Sequence, residues 1–137
     1  MDDKMAEDGL VAWVDACEHA AAIGNSTALT VQDFEAAWSP RFAAEEIDAL
    51  VISKRTHSRR KAKAENLSPE EQDRAFRLAQ IQIYADRVFA NPEKSSRWLR
   101  TPNNRLSRQT PLDVLKTAAG AALLMEMLGQ IDHGIYV

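Results

Sequence analysis

Cysteine occurs once in the 137 residues, at Cys17, so no disulfide can form within the chain and a reducing compartment, the cytoplasm, is the expected location. Glycine is scarce and scattered. Gly9, Gly24, Gly120, Gly129 and Gly134 each stand alone, which excludes a glycine-rich loop that could cradle a phosphate. The three histidines, His19, His57 and His133, fall in unrelated segments, so neither a metal site nor a bound cofactor is expected. No Ser–His or Cys–His pairing is indicated, and the chain is not expected to be an enzyme. No stretch approaches the roughly 18 consecutive apolar residues of a membrane span. The start, Met1-Asp2-Asp3-Lys4, lacks the basic-then-apolar order of a secretion leader. What remains, 45% apolar and 27% charged, is the composition of an ordinary globular chain of one domain or two small ones.

Charge is present but segregated. Residues 1–50 hold eleven acids against Lys4 and Arg41, whereas 51–64 hold six bases and no acid. From 65 onward nine acids meet nine bases, so the net charge of -3 conceals a strongly basic island.

Helical spacing runs through the whole chain, and the expected fold class is all-α. Leu10, Trp13, Val14, Cys17 and Ala21 share one face of a helix over 8–23, with Gly24-Asn25-Ser26 as its stop. On that face Cys17 reads as a core residue. Thr30 caps a short helix with Asp33 as its capping-box partner, and Val31, Phe34, Ala37 and Trp38 form the apolar side. Ser39-Pro40 is read as the next cap, opening a helix from about Phe42. The run Lys54-Arg55-Thr56-His57-Ser58-Arg59-Arg60-Lys61-Ala62-Lys63 follows after a short turn. Two short helices, the second heavily basic, are the layout of a helix-turn-helix DNA binder, since Lys and Arg neutralise phosphates and Arg forks onto guanine. A solvated basic face paired with the acidic N-terminal half is the plainer alternative. Ser68-Pro69-Glu70-Glu71 starts a continuous helix to about Ala90, its apolar face formed by Leu78, Ile81, Ala85, Val88 and Phe89.

The last third carries the most patterned stretch. Asn91-Pro92 and Thr110-Pro111 are each an N-cap followed by proline at the first helical position, predicting helices over 92–100 and 111–128. Trp98 and Leu99 are expected in the core against Leu112 and Leu115. In the second helix Leu112, Leu115, Ala119, Ala122 and Met125 recur at helical spacing, and Leu123, Leu124, Met127 and Leu128 widen the stripe. A helix so broadly apolar needs cover on more than one side, part of it from a second copy of the chain. The terminal Ile135-Tyr136-Val137 is apolar, either packing on its own domain with Gly134 as cap or entering a partner's pocket.

Asn91-Pro92-Glu93-Lys94, Trp98-Leu99-x-x-Pro102-Asn103, Thr110-Pro111-Leu112-Asp113-x-Leu115-x-Thr117-x-x-Gly120 and Ile131-x-His133-Gly134 together resemble the toxin-binding domain of Xre/MbcA/ParS antitoxins. The resemblance extends upstream through Leu67-Ser68-Pro69-Glu70-Glu71 and Arg59-Arg60-Lys61. It implies a helix-turn-helix-like N-terminal region (1–66) packed with a C-terminal, dimerising toxin-binding domain (67–137). It further implies a type II antitoxin that binds a RES/ParT-like, NAD-utilising toxin and blocks its NAD site with His133, Gly134, Ile135, Tyr136 and Val137. Operator DNA would be met by Lys54, Arg55, Thr56, Ser58, Arg59, Arg60 and Lys61, giving autoregulation of the operon. The glycine usual in such a turn is replaced by Val51. The rival reading is a stand-alone transcriptional repressor with the same basic helix and no toxin.

Overall fold

The computed structural model describes residues 2–22 and 30–134, and within them the chain is all-α, with eight helices and no strand. The helices are α1 (Asp2–Ala22), α2 (Val31–Trp38), α3 (Ala44–Leu50), α4 (Lys54–Ala62), α5 (Pro69–Phe89), α6 (Pro92–Leu99), α7 (Pro111–Val114) and α8 (Ala118–Asp132). Two compact units, Met1–Phe76 and Arg77–Val137, divide within α5 rather than ahead of it at 66/67. The first turns of α5 fall with the N-terminal unit because Glu71 and Arg74 bond to α4 and to the turn before it. The expected stop at Gly24-Asn25-Ser26 lies outside the described residues.

In the N-terminal unit an aromatic cluster joins α1 to α2. The Trp13 ring of α1 meets Phe34 and Trp38 of α2 edge-on, at 6.0 and 5.7 Å between centroids, and Trp38 lies against Phe42 at 4.8 Å. Such offset and edge contacts add about 0.5–1.5 kcal/mol each beyond their burial. Leu10, Val14 and Cys17 complete the buried side of α1. Burial, reinforced by Glu18, pushes the Cys17 thiol up to about 11, so it is a packing residue and a poor nucleophile. Thr30 caps α2 as its sequence predicts, trading bonds with Asp33. Ser39-Pro40, however, closes α2 instead of opening α3. The Ser39 N–H still donates to Glu35, and Arg41 and Phe42 both donate to the Trp38 carbonyl. The start of α3 is displaced to Ala43, whose N–H donates to the Glu46 carboxylate.

In the C-terminal unit Asn91 caps α6 through Oδ1, which accepts from the N–H groups of Glu93 and Lys94. Behind that cap lies a buried polar network. The Ser95 hydroxyl donates to Asp86, and Gln82 Nε2 donates to the same carboxylate at 2.9 Å. Trp98 is only half-buried and leans on Phe89 at 5.6 Å, while Leu99 takes the fully buried place.

The long helix expected over 111–128 is two helices. Thr117 (φ -124, ψ 157) is a second N-cap, its hydroxyl accepting from the Gly120 N–H at 3.0 Å, and Leu115–Thr117 form the bend. Gly120 makes the bend possible: a Cβ there would sit 1.6 Å from the Val114 carbonyl oxygen, so the end of α7 rests on bare backbone. The bend also resets the helical phase. Ala121, Leu124, Met127 and Leu128 are the buried face of α8, whereas Ala119, Ala122 and Met125, expected inside, are exposed.

Candidate functional site

Two surfaces carry the residues singled out from the sequence: the basic helix α4 and the C-terminal end of α8 with its outer face.

Helix α4 starts at Ser53, whose hydroxyl accepts from the Thr56 N–H and donates to the Thr56 hydroxyl. None of its residues is fully buried, yet its basic side chains divide sharply between two sides. Arg55, Ser58 and Arg59 are exposed on the outward side. Arg60 turns inward to pair with Glu71, their side chains only 18% and 10% exposed, so it is a structural cation and not an open DNA-facing group. Lys61 donates to Glu35 at 2.7 Å, and the same carboxylate lies 3.2 Å from His57, whose ring meets Phe34 edge-on. Thr56 is half-buried and committed to the cap. Lys54 is exposed within 4.0 Å of Glu45, while its backbone N–H donates to Asp48 at 2.6 Å. That carboxylate neutralises the positive end of the helix, leaving side chains as the means of meeting phosphate. A cavity of about 310 Å³ beside α4 is floored by Phe42, Ile47 and Ile52, and its rim charges, Glu35, Asp48 and Lys54, already face one another or other groups of the unit.

The turn before α4 needs no glycine. Val51 has φ -122, ψ -63, a negative φ, so the left-handed conformation that favours glycine is not called for, and its side chain is buried. Its carbonyl accepts two bonds from Arg74, from Nε at 3.1 Å and Nη2 at 2.9 Å. Sequence reading missed Glu35, Glu71 and Arg74 as partners of this region. Ser68 and Glu71 were legible as a cap, and they do exchange bonds, but the second duty of Glu71 toward Arg60 has no local signal.

At the other surface α8 ends in a capped turn. The His133 N–H donates to Gly129, and Gly134, at φ +72, donates to Ile131. Only glycine adopts that φ without strain, so Gly134 terminates the helix and leaves His133 exposed at its end. Ile135, Tyr136 and Val137 lie outside the described residues. Helix α8 exposes Leu123 (41%) and Met125 (44%), and Met125 borders a cleft of about 210 Å³ together with Arg77 and Gln80. Met125 lies on one side of α8 with the small Ala118 and Ala122, and Leu123, two residues away, points to the other edge of the exposed side. Among the described residues no three His, Cys, Asp or Glu side chains converge to hold a metal, and no helix is long and apolar enough to cross a membrane.

Comparison with known proteins bears on the same region. Residues 85–134, from the end of α5 to the Gly134 cap, match the antitoxin Xre/MbcA/ParS C-terminal toxin-binding domain. An "Antitoxin Xre" of Pseudomonas putida is 39% identical over 84 residues, 61% of this chain and 53% of its own length. An "Antitoxin Xre" of Photorhabdus laumondii is 27% identical over 116 residues, 84% of this chain and 78% of its own. A "Prs ADP-ribosylating antitoxin" of a Sphingobium species is 31% identical over 98 residues, 65% of this chain and 62% of its own. The chain thus spans about half the length of the Pseudomonas relative. The Asn91 cap, the Thr110-Pro111 start, the Thr117–Gly120 bend and the Gly134 stop all fall inside the matched segment, so the C-terminal part of the chain is similar to the toxin-binding domain of Xre/MbcA/ParS antitoxins.

Proposed function

We propose that the chain is a type II antitoxin that binds a RES/ParT-like, NAD-utilising toxin through its C-terminal domain and represses its own operon through α4. The observation that carries this reading is the match of residues 85–134 to a toxin-binding domain. The name of the Sphingobium relative, which refers to ADP-ribosylation, favours a toxin that consumes NAD. Neutralisation works by occlusion: the segment from His133 to Val137 enters the toxin's NAD cleft, with Tyr136 and Val137 as the filling side chains. The Gly134 stop supports this arrangement, because it ends α8 and leaves His133 exposed at its end. The exposed Met125, with Ala118 and Ala122 beside it, is assigned to self-association, since a two-fold pair of copies carries two α4 helices for a palindromic operator.

Co-expression with the product of the adjacent gene tests the proposal, scored by growth, by co-purification and by NAD+ content. Rescue of growth with NAD+ restored to its normal level supports it. A neighbour that is harmless alone, or one that kills without lowering NAD+ or modifying protein with ADP-ribose, refutes the toxin assignment and moves the stand-alone repressor to first place.

A further inference from the structure

The basic side chains of α4 are held in place almost wholly by polar ties. The helix buries no residue of its own, and His57 meets Phe34 edge-on. Ties of that kind fix direction, which apolar packing of so polar a helix cannot do.

Two of the ties come from the first turns of α5 and bracket α4. Ahead of α4, Arg74 lays both Nε and Nη2 on the Val51 carbonyl, which closes the C-terminal end of α3. Carbonyls at a helix end lack intrahelical donors, and the planar guanidinium supplies two in one rigid fork. Near the far end of α4, Arg60 donates to Glu71 Oε1, the oxygen that also accepts the Ser68 N–H at 2.8 Å. Glu71 itself is 8% exposed, so the pair is shielded from competing water. A further tie runs from Lys61 to Glu35 of α2. With Arg60 drawn in and Lys61 tied to Glu35, Arg55, Ser58 and Arg59 are presented outward as a single ridge of i, i+3 and i+4 positions.

We infer that Glu71 and Arg74 are positioning residues for DNA reading by α4, holding the turn and the helix so that Arg55, in the first turn of α4, reaches base edges while Arg59 lies on the adjacent phosphate. The inference rests on the DNA-binding half of the proposed function. Recognition of base edges tolerates displacements of only about 0.5 Å, whereas attraction to phosphate does not depend on such placement. Loosening the clamp therefore costs discrimination between sequences and leaves general affinity for duplex DNA standing.

The test measures anisotropy of labelled duplexes tiled across the region upstream of this gene, against a scrambled duplex of the same composition, at several salt concentrations. The proteins are the full-length wild type, Arg74→Lys, Arg74→Met, Glu71→Gln and, as a phosphate-contact control, Arg59→Ala. The two Arg74 variants are expected to lose about tenfold of the preference for upstream over scrambled DNA, the worth of one good base contact. Arg74→Lys, which keeps the charge and loses the fork, should keep the wild-type salt slope and scrambled-duplex affinity. Arg59→Ala should instead lower affinity for both duplexes and flatten the slope by about one. Amide exchange over Val51–Thr56 should accelerate in the Arg74 variants. Should these fail to unfold at a normal temperature, Glu71→Gln is read in their place for the same loss of preference, since its amide oxygen still accepts from Ser68. Preference unchanged in a folded Arg74 or Glu71 variant overturns the inference alone. A wild type that binds scrambled and upstream DNA equally overturns the DNA reading, and the inference with it, while growth rescue by co-expression stands apart.

Discussion

Gly120→Ala sets two accounts of the C-terminal helices against each other with opposite signs. In one uninterrupted helix over 111–128, Gly120 would be an interior glycine, and alanine would stabilise by about 0.8–1 kcal/mol. The bend between α7 and α8 reverses this. The added Cβ would lie 1.6 Å from the Val114 oxygen and 2.7 Å from its carbon, both backbone atoms that no rotamer change can move. Ordinary contact needs separations near 3.5 Å, so the end of α7 must retreat by more than 1 Å from the first turn of α8. That retreat strains the junction, at about 1–3 kcal/mol for overpacking in a well-packed site. It also pulls on the Thr117 cap, whose loss costs about 0.5–2 kcal/mol. Set against the propensity gain, a net loss of about 1–4 kcal/mol is expected, or a fall in Tm on the order of 10 °C for a chain of this size. Urea unfolding followed by far-UV circular dichroism, with calorimetry for Tm, measures it directly. A variant as stable as the parent, or more so, would refute the bend and restore the single helix.

Deleting Ile135 to Val137 should abolish neutralisation of the toxin with thermal stability unchanged, and neutralisation that persists would discard the plug. Arg55→Ala should relax the preference for upstream DNA, whereas Arg59→Ala should lower the salt slope of DNA binding by about one, for the one phosphate-neutralising group removed. Arg60→Ala should act differently, destabilising the fold by about 1–3 kcal/mol because it strips a charged partner from Glu71. An effect of Arg60→Ala on DNA binding like either of these, and none on stability, would show Arg60 to be outward after all. Cys17 should react with iodoacetamide at pH 8 far more slowly in the native protein than in urea, given a thiol pushed up to about 11. Because the unfolded thiol ionises first, near 9, the native state keeps this contribution below that pH. It loses the contribution as pH rises toward 11, and Cys17→Ala should flatten that alkaline decline.

Most of the helix starts could be read directly because a cap is a local device. Thr30 with Asp33, Ser68 with Glu71 and Thr110 with Asp113 each exchange bonds across three residues, a distance that sequence displays. The same logic misled at Ser39-Pro40, where a good cap pair was used to end a helix. Thr117 and Gly120 were visible as part of a family pattern, but their meaning depends on the Val114 carbonyl passing beneath a missing Cβ, which no periodicity reveals. A periodicity carried straight through that bend puts everything beyond it out of phase, which is why Ala119, Ala122 and Met125 read as inward. In α4 the basic run was legible and its two sides were not. The acids that sort it, Glu35 and Glu71, lie in other helices and pair only after folding.

The buried trio of Gln82, Asp86 and Ser95 bears on how the C-terminal unit avoids alternative packings. A small helix such as α6, with one fully buried leucine, could slide or roll on an apolar surface at little cost, because hydrophobic contact has no preferred direction. Ser95 removes that freedom. Its hydroxyl reaches Asp86 and also bonds the Pro92 carbonyl at 3.0 Å. Rolling α6 by one residue would carry the hydroxyl away and strand polar atoms in the interior, at about 1–3 kcal/mol for each group left unpaired. The trio therefore works as a key and its keyway. It adds little net stability, yet it assigns α6 a single seat on α5, and with it a fixed point from which the Trp98–Asn103 segment departs.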